Sequence, residues 1–281
     1  MIARTWLVSV LAFVVIGCGS KGGAGTDAND GDGSLGPDAD TTIYVDAPPF
    51  GGACTPDPSA PQCSNCMDDD NDGKTDGDDI ECTGAFDDDE FTFQTGIPGD
   101  NIDAVMQDCF FDGNSGAGND GCNVHVCCLL GAETVAECPI GANKFKPNNC
   151  PPPIGNAVPS DKCISVCGKL TPPGCDCFGC CTVYFNGMPY DILTNPNVSP
   201  DCDETNINDP TKCKTCTKIE SCGNTECGGT TCVLCPGQDP GTLDPSCSTP
   251  TCPEGTQACG AQDECPSQTY CANGCCIGVI M

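Results

Sequence analysis

Apolar residues form one long run in this chain, Trp6 to Ile16, broken only by Ser9. Spanning a bilayer as a helix takes about 20 apolar residues. This shorter run, with Arg4 and the free amine before it, has the form of a signal-peptide core. Beyond it, apolar positions occur mostly as singles and pairs. Helical spacing predicts a short helix over Ile102 to Phe111, with Asp100 as N-cap and Asp103 in the first turn. A second helix is predicted from Ser160 through Cys163 and Cys167, stopped at Gly168. The clearest strand pattern is Thr182 to Phe185, then Asn186-Gly187, then Met188 to Leu193. Asn-Gly between apolar runs favours a two-residue hairpin turn, and Pro189 marks the second strand as an edge. A second Asn-Gly, Asn273-Gly274, would bring Cys271 close to Cys276.

The apolar run ends in Val15-Ile16-Gly17-Cys18, which matches the bacterial lipobox. The match implies cleavage before Cys18 and acylation of its thiol, and several acyl chains anchor a protein stably where one does not. Gly19 to Gly52 holds Gly, Ser, Asp, Ala, Thr and Pro without a cysteine. Such a stretch is expected to be a flexible, self-repelling tether.

Composition explains why so few elements are predicted. Leu, Ile, Val and Phe supply 39 of the 264 residues from Cys18 onward. A chain so poor in apolar residues and so highly charged would stay unfolded unless something else held it. The 31 cysteines supply the alternative. If lipid consumes Cys18, an even 30 remain, and an oxidising compartment would pair them. The expected fold class is therefore small disulfide-rich modules in tandem, mostly irregular, with short β-hairpins and few short helices. Gaps between cysteine groups suggest a signal peptide at 1–17, the tether at 18–52 and an acidic module at 53–92. A Cys-rich head at 93–201, a Cys-rich module at 202–250 and a small C-terminal module at 251–281 would follow. The formal charge of −30, with only ten Lys and Arg and no basic run, excludes nucleic acid as a partner.

The sharpest chemical motif is Asp68-x-Asp70-x-Asp72-Gly73-x-x-Asp76-x-x-Asp79. Calcium takes six to eight oxygens at about 2.3–2.6 Å, and alternate carboxylates in a tight loop supply them. Lys74 would add its backbone carbonyl, Asp79 would close the sphere, and Gly73 would allow the sharp turn. Against an EF-hand loop, Asp79 stands in place of Glu, Thr75 in place of an apolar residue, and no flanking helices are visible. The blander account is an acidic surface loop. The following Asp87-Asp88-Asp89-Glu90 offers a second cation site, but a solvated charge run is the simpler expectation.

Four CxxC pairs occur: Cys63/Cys66, Cys177/Cys180, Cys213/Cys216 and Cys232/Cys235. The last two have zinc-ribbon spacing. Cys222 and Cys227 lie between them, however, and an exported chain favours disulfides. Cys54, Cys63, Cys66, Cys82, Cys213, Cys216, Cys232, Cys235, Cys271 and Cys276 are all disulfide candidates, with connectivity open. Adjacent cysteines at 127/128, 180/181 and 275/276 are expected to find distant partners, because a vicinal ring is strained. Gly113-Asn-Ser115-Gly116 has the look of a serine-protease nucleophile loop, and Gly116-x-Gly118-x-x-Gly121 has dinucleotide-type spacing. Neither has the strand and helix context it needs. His125, the single histidine, is most simply a packed or surface residue.

Taken together, several stretches resemble a family of Cys-rich lipoproteins of myxobacterial type. They are Cys66-Met-Asp-Asp-Asp-Asn-Asp-Gly73 with Cys82-Thr-Gly, and Asp87-Asp-Asp-Glu-Phe with Thr95-Gly-Ile-Pro-Gly-Asp-Asn101. Next come Asp108-Cys-Phe-Phe-Asp-Gly-Asn-Ser-Gly116 and Gly174-Cys-Asp-Cys-Phe-Gly-Cys-Cys181. The Cys213 to Cys235 cluster and Cys265-Pro to Cys276 complete the set. The resemblance implies no activity. The acidic loop is also similar to those of thrombospondin type 3 repeats, which implies calcium at Asp68, Asp70, Asp72, Asp76 and Asp79 braced by disulfides.

The expectation is a non-catalytic lipoprotein, anchored in the membrane through Cys18, at the bacterial outer membrane or cell surface. It would bind weak calcium and no organic cofactor, and would meet a surface protein or glycan. Two alternatives are an exported hydrolase in the head, resting on Asp103, Asp108, Asp112, Ser115 or His125, and a Cys-rich zinc-binding protein.

Overall fold

The computed structural model describes residues 56–76, 79–83, 87–96, 103–112, 120–247, 251–252, 255–258, 269–272 and 275–278. The expected signal peptide, Cys18, the tether, Cys54, Ser115 with its Gly-rich loop, and the Asn273-Gly274 turn lie outside the described residues. None of the helices is long and apolar enough to cross a membrane among the residues described. Among the described residues regular structure is sparse: three two-stranded antiparallel sheets, two short helices and scattered single 3-10 turns. This is the disulfide-rich, mostly irregular fold that the composition calls for.

The first sheet pairs β1 (Met106–Gln107) with β2 (Val124–His125), Gln107 opposite Val124. β1 lies where a helix was expected, and Asp103 explains the difference. Its Oδ1 accepts the amides of Val105 at 2.8 Å and Met106 at 3.2 Å. The side chain thus closes a turn instead of starting a helix, a competition typical of Asp. Beyond β1, Phe110 donates its amide to the Cys177 carbonyl. Long-range pairing overrides the weak local helical preference.

β2 runs into α1 (Val126–Leu129), which carries Cys127 and Cys128. Neighbouring residues on a helix point about 100° apart. Accordingly Cys127 reaches Cys138 and Cys128 reaches Cys150. α2 (Asp161–Cys167) has the expected cap, with Ser160 Oγ accepting the Cys163 amide at 3.1 Å. Its buried Cys163 and Cys167, four apart on one face, bond Cys122 and Cys109. Those partners lie two residues before β2 and two after β1, so one helix face holds both ends of the first sheet.

The hairpin of β3 (Cys180–Phe185) and β4 (Met188–Leu193) turns at Asn186 and Gly187, with φ of 50° and 75°. Two positive φ values in a row define the primed turn that Asn-Gly favours. Burial grades along the hairpin, from a covered base to an exposed tip at Met188 and Pro189. The base is flanked on both sides, since Thr182 donates to Gly174 and Leu193 to Lys214. Pro189 sits opposite Tyr184 near the tip, where its missing donor costs least. The last sheet pairs β5 (Thr269–Ala272) with β6 (Cys275–Gly278), placing Cys271 opposite Cys276.

All four CxxC pairs are split between different partners. Cys63 bonds Cys82, and Cys66 lies in a separate disulfide. Cys177 bonds Cys222, Cys180 bonds Cys216, and Cys213 bonds Cys202. Cys232 bonds Cys247 and Cys235 bonds Cys227. The Cys177 and Cys180 bridges tie the expected head to the module after it, so a gap between cysteine groups does not separate the two covalently. Farther on, Cys252 bonds Cys275, and Cys276 is also disulfide-bonded.

The larger core packs Val126, Leu129, Phe145, Leu170, Phe178 and Leu193 among these cystines. At its edge Asp176 is fully covered, accepting the amides of Phe178, Cys180 and Ile219, each at 2.9 Å. Burial raises this carboxyl to about 6 against the opposing pull of those amides and of Lys218. The smaller core joins Ile80 and Phe93 of the acidic region to Val183, Ile192 and Ile207. The acidic region is therefore packed onto the hairpin.

Candidate metal centre

The acidic loop is bounded by the Cys63–Cys82 disulfide and shaped by its own side chains. Asp68 Oδ2 accepts the Gly73 amide at 3.1 Å, Asp70 Oδ1 that of Asp72 at 2.9 Å, and Asp72 Oδ1 that of Lys74 at 2.7 Å. Gly73 has φ of 96°, and a Cβ there would meet nothing within 4 Å, so backbone conformation and not space requires glycine. The result places one carboxylate oxygen from each of Asp68, Asp70 and Asp72 within 4.8 Å of the others. Burial raises the Asp70 carboxyl, the Asp72 amide opposes that, and the charges of Asp72, Asp79 and Asp68 add to it. Asp79 is thus an electrostatic neighbour of the trio.

One oxygen in this group, Asp68 Oδ1, is buried yet hydrogen-bonds to nothing among the described residues. One Asp79 oxygen accepts the Glu81 amide at 2.9 Å, and the Asp79 carboxyl shares a side-chain hydrogen bond with that of Glu81. In Asp68 one oxygen thus shapes the backbone and the other is left over. A buried carboxylate oxygen without a partner is costly, and an ion is a common reason for it.

Two of the expected ligands have their side chains engaged outside the trio. The Asp76 carboxylate accepts the amides of Asn65 at 2.9 Å and Cys66 at 3.0 Å. It is not among the carboxylates whose oxygens lie within 4.8 Å of one another. Lys74 extends its ammonium to Asp72 Oδ2 at 3.1 Å and to Glu204. Burial lowers its pKa, but those two carboxylates outweigh burial and raise it. Burial likewise raises Asp72, yet bonds from the Lys74 amide and ammonium bring the net shift downward.

Three carboxylates that the motif does not contain complete the neighbourhood. Glu90 is fully buried, accepting the Asp69 amide at 2.7 Å and the Asp76 amide at 2.9 Å. Burial raises it to about 7, the two amides oppose, and the charges of Asp79 and Asp76 add. Glu81, 2 % exposed, accepts the Glu204 amide through Oε1, and its carboxyl shares a side-chain hydrogen bond with that of Asp79. Its carboxyl lies against that of Asp79, and burial followed by that contact raises its pKa strongly. The run 87–90 is not the solvated stretch it resembles. Asp87 is buried on Thr83, whose amide and hydroxyl it accepts, and Asp89 caps Phe91 and Thr92. Sequence carries a weak signal for Glu90, three residues after Asp87 and beside the alternating Phe91 and Phe93. It carries none for Glu204, which arrives from beyond the hairpin.

Elsewhere, two cysteine groups have metal-like spacing: Cys122 with Cys163 and Cys222, and His125 with Cys127 and Cys138. All five of these sulfurs belong to disulfides, which lack the thiolate charge that zinc requires. His125 is buried against Phe145. Its Nδ1 accepts the Cys127 amide and its Nε2 donates to the Gly141 carbonyl, both at 3.2 Å. With both ring nitrogens engaged and burial lowering its pKa, it is a packing residue. Asp103 closes its turn, and Asp108 and Asp112 are buried. No family model, curated protein or solved structure matches the chain.

Proposed function

We propose that this chain is an exported, non-catalytic lipoprotein of the bacterial envelope, anchored through Cys18, whose acidic loop takes calcium. The head would serve as a structural, adhesive or binding module toward a surface protein or glycan. The observation that supports the calcium assignment best is the buried, unpartnered oxygen of Asp68 within the trio that gathers one carboxylate oxygen each from Asp68, Asp70 and Asp72. Hard carboxylate oxygens in this number suit calcium, with water and backbone carbonyls filling the remaining positions. The role in export rests on the apolar run ending at Cys18 and on a fold built from disulfides, which persist in oxidising compartments. Affinity is expected in the extracellular class, about 0.1–1 mM.

Calorimetric titration of the full chain with calcium tests the proposal. Asp79→Asn, which removes one charge and keeps the shape, should weaken binding at least tenfold. Absence of calcium binding by the unaltered protein up to about 10 mM, well above that affinity class, would refute it. Intact mass of the membrane-extracted protein tests the anchor: it should begin at a diacylated Cys18, and a mass retaining Met1 would contradict export.

A further inference from the structure

The acidic trio already has a cation against it. Asp72 turns both of its carboxylate oxygens to donors of one residue, Lys74. Its Oδ1 accepts the Lys74 amide at 2.7 Å, and its Oδ2 meets the Lys74 ammonium at 3.1 Å. Asp68, by contrast, keeps Oδ1 buried without a hydrogen bond among the described residues. The Lys74 ammonium also reaches Glu204, far along the chain at the start of a 3-10 turn (Glu204–Asn206). That turn is held in place: Asp203 and Asn206 cap it reciprocally, and the Cys202–Cys213 disulfide encloses it. The side chains of Asp72, Lys74 and Glu204 are 17 %, 33 % and 18 % exposed, so solvent screens this bridge less than a surface pair.

We infer that Lys74 is a built-in competitor of the site: its ammonium neutralises Asp72 in the ion-free protein, and calcium must displace it onto Glu204 to bind. The inference rests on the calcium assignment above and adds what regulates that site. Ammonium and calcium seek the same carboxylate, the ammonium through hydrogen bonds and calcium through direct contacts of about 2.3–2.6 Å. The motif alone offers an arriving ion three carboxylates. With Lys74 on Asp72, the ion meets two uncompensated carboxylates and a positive charge. Glu204 sets how firmly the ammonium stays on Asp72, because it is the second acceptor within the same reach. Calcium binding therefore breaks one half of the Lys74 bridge and keeps the other, which lowers the affinity of the site and moves the lysine toward the turn at Glu204. The opposite role, Lys74 as a brace that orients Asp72 for the ion, predicts the opposite sign for its removal.

Calorimetric calcium titration of the full chain carrying Lys74→Met, Glu204→Gln or both tests this, with Lys162→Met at an exposed position of α2 as the control for net charge. K74M should bind calcium at least about fivefold more tightly than the unaltered protein, and K162M within about twofold of it. E204Q should bind about threefold more weakly or worse, since the ammonium then has Asp72 alone. In the K74M background the same change should shift affinity less than about twofold, because its effect runs through Lys74. Suppose the unaltered protein binds calcium but K74M binds no more tightly than it or than K162M, or Glu204→Gln acts alike in both backgrounds. The competition is then overturned while the loop site stands. If neither the unaltered protein nor K74M binds, both readings fall. If only K74M binds, the competition stands and the calcium reading of the unaltered chain falls. Should K74M fail to fold, acetylation of the Lys74 amine in the unaltered protein, read by peptide mass, decides. Calcium should speed it at least about threefold as the ammonium leaves Asp72, and an unchanged or slower rate overturns the competition.

Discussion

Residues 56–96 and residues 103–247 solve the same problem, too little apolar surface, by different means. The second region holds ten disulfides among its described residues, and its core is as much cystine as hydrocarbon. The first buries carboxylates more densely: Asp76, Asp79, Glu81, Asp87 and Glu90 are all covered, with Ile80 and Phe93 as its large buried apolar residues, whereas the much longer second region covers Asp108, Asp112, Asp120 and Asp176. Most of those carboxylates accept backbone amides, which makes them internal scaffolding for a stretch with almost no regular structure. A disulfide acts mainly on the unfolded chain and is indifferent to pH and salt. A buried carboxylate acts in the folded state and depends on its charge and on any ion beside it. The two regions should therefore answer to different solution conditions, redox for one and cations for the other.

The harshest test of that contrast is reduction. Each disulfide typically adds about 2–4 kcal/mol, so full reduction in mild conditions should unfold 103–247 outright, read as loss of slow hydrogen exchange. Retained protection there would assign the stability to the apolar core. The acidic region should follow, because Ile80 and Phe93 lose the hairpin they pack on; calcium should delay that step without preventing it.

A smaller effect comes from Asp176, one of the buried carboxylates of the cystine region, beside Asp108, Asp112 and Asp120. Asp176 titrates near 6 in the folded protein and at 3.8 as an ordinary side chain. The native state thus holds its proton more tightly than the unfolded state, and its contribution is fully present below 3.8 and lost as pH rises through 6. Relative to Asp176→Asn, which cannot titrate, the unaltered protein should lose roughly 2.4 kcal/mol between pH 4 and pH 7. Parallel denaturant curves at the two values would reveal it, and a constant gap between the proteins would mean that the three amides fully offset burial. Smallest is the cap of α2. Ser160→Ala should cost about 1 kcal/mol or less, because the disulfides at Cys163 and Cys167 already restrain the helix. A larger loss in thermal melts would show that capping, and not cystine, sets the helix.

Local chemistry was readable wherever a few adjacent residues decide the outcome. Ser160 with Gly168 delimits α2, Asn186-Gly187 turns the hairpin, and the loop's backbone is drawn by Asp68, Asp70, Asp72 and Gly73, all within one short stretch. The helix expected over Ile102 to Phe111 failed because a strand partner from Val124 and a carbonyl from Cys177 outbid a marginal preference. Spacing likewise could not tell that the Asp76 carboxylate turns to the amides of Asn65 and Cys66.

By itself the sequence determined that cystines must stand in for a hydrophobic core, that regular structure would be sparse, and that carboxylates would gather between Asp68 and Asp79. Those follow from composition and from contacts a few residues long. Only the tertiary structure decided which cysteines pair, that Cys177 and Cys180 cross into the next module, and that Glu81, Glu90 and Glu204 close around the acidic loop. Each of those joins residues far apart in the chain, and in a fold with little periodic structure no local pattern records where such a partner lies.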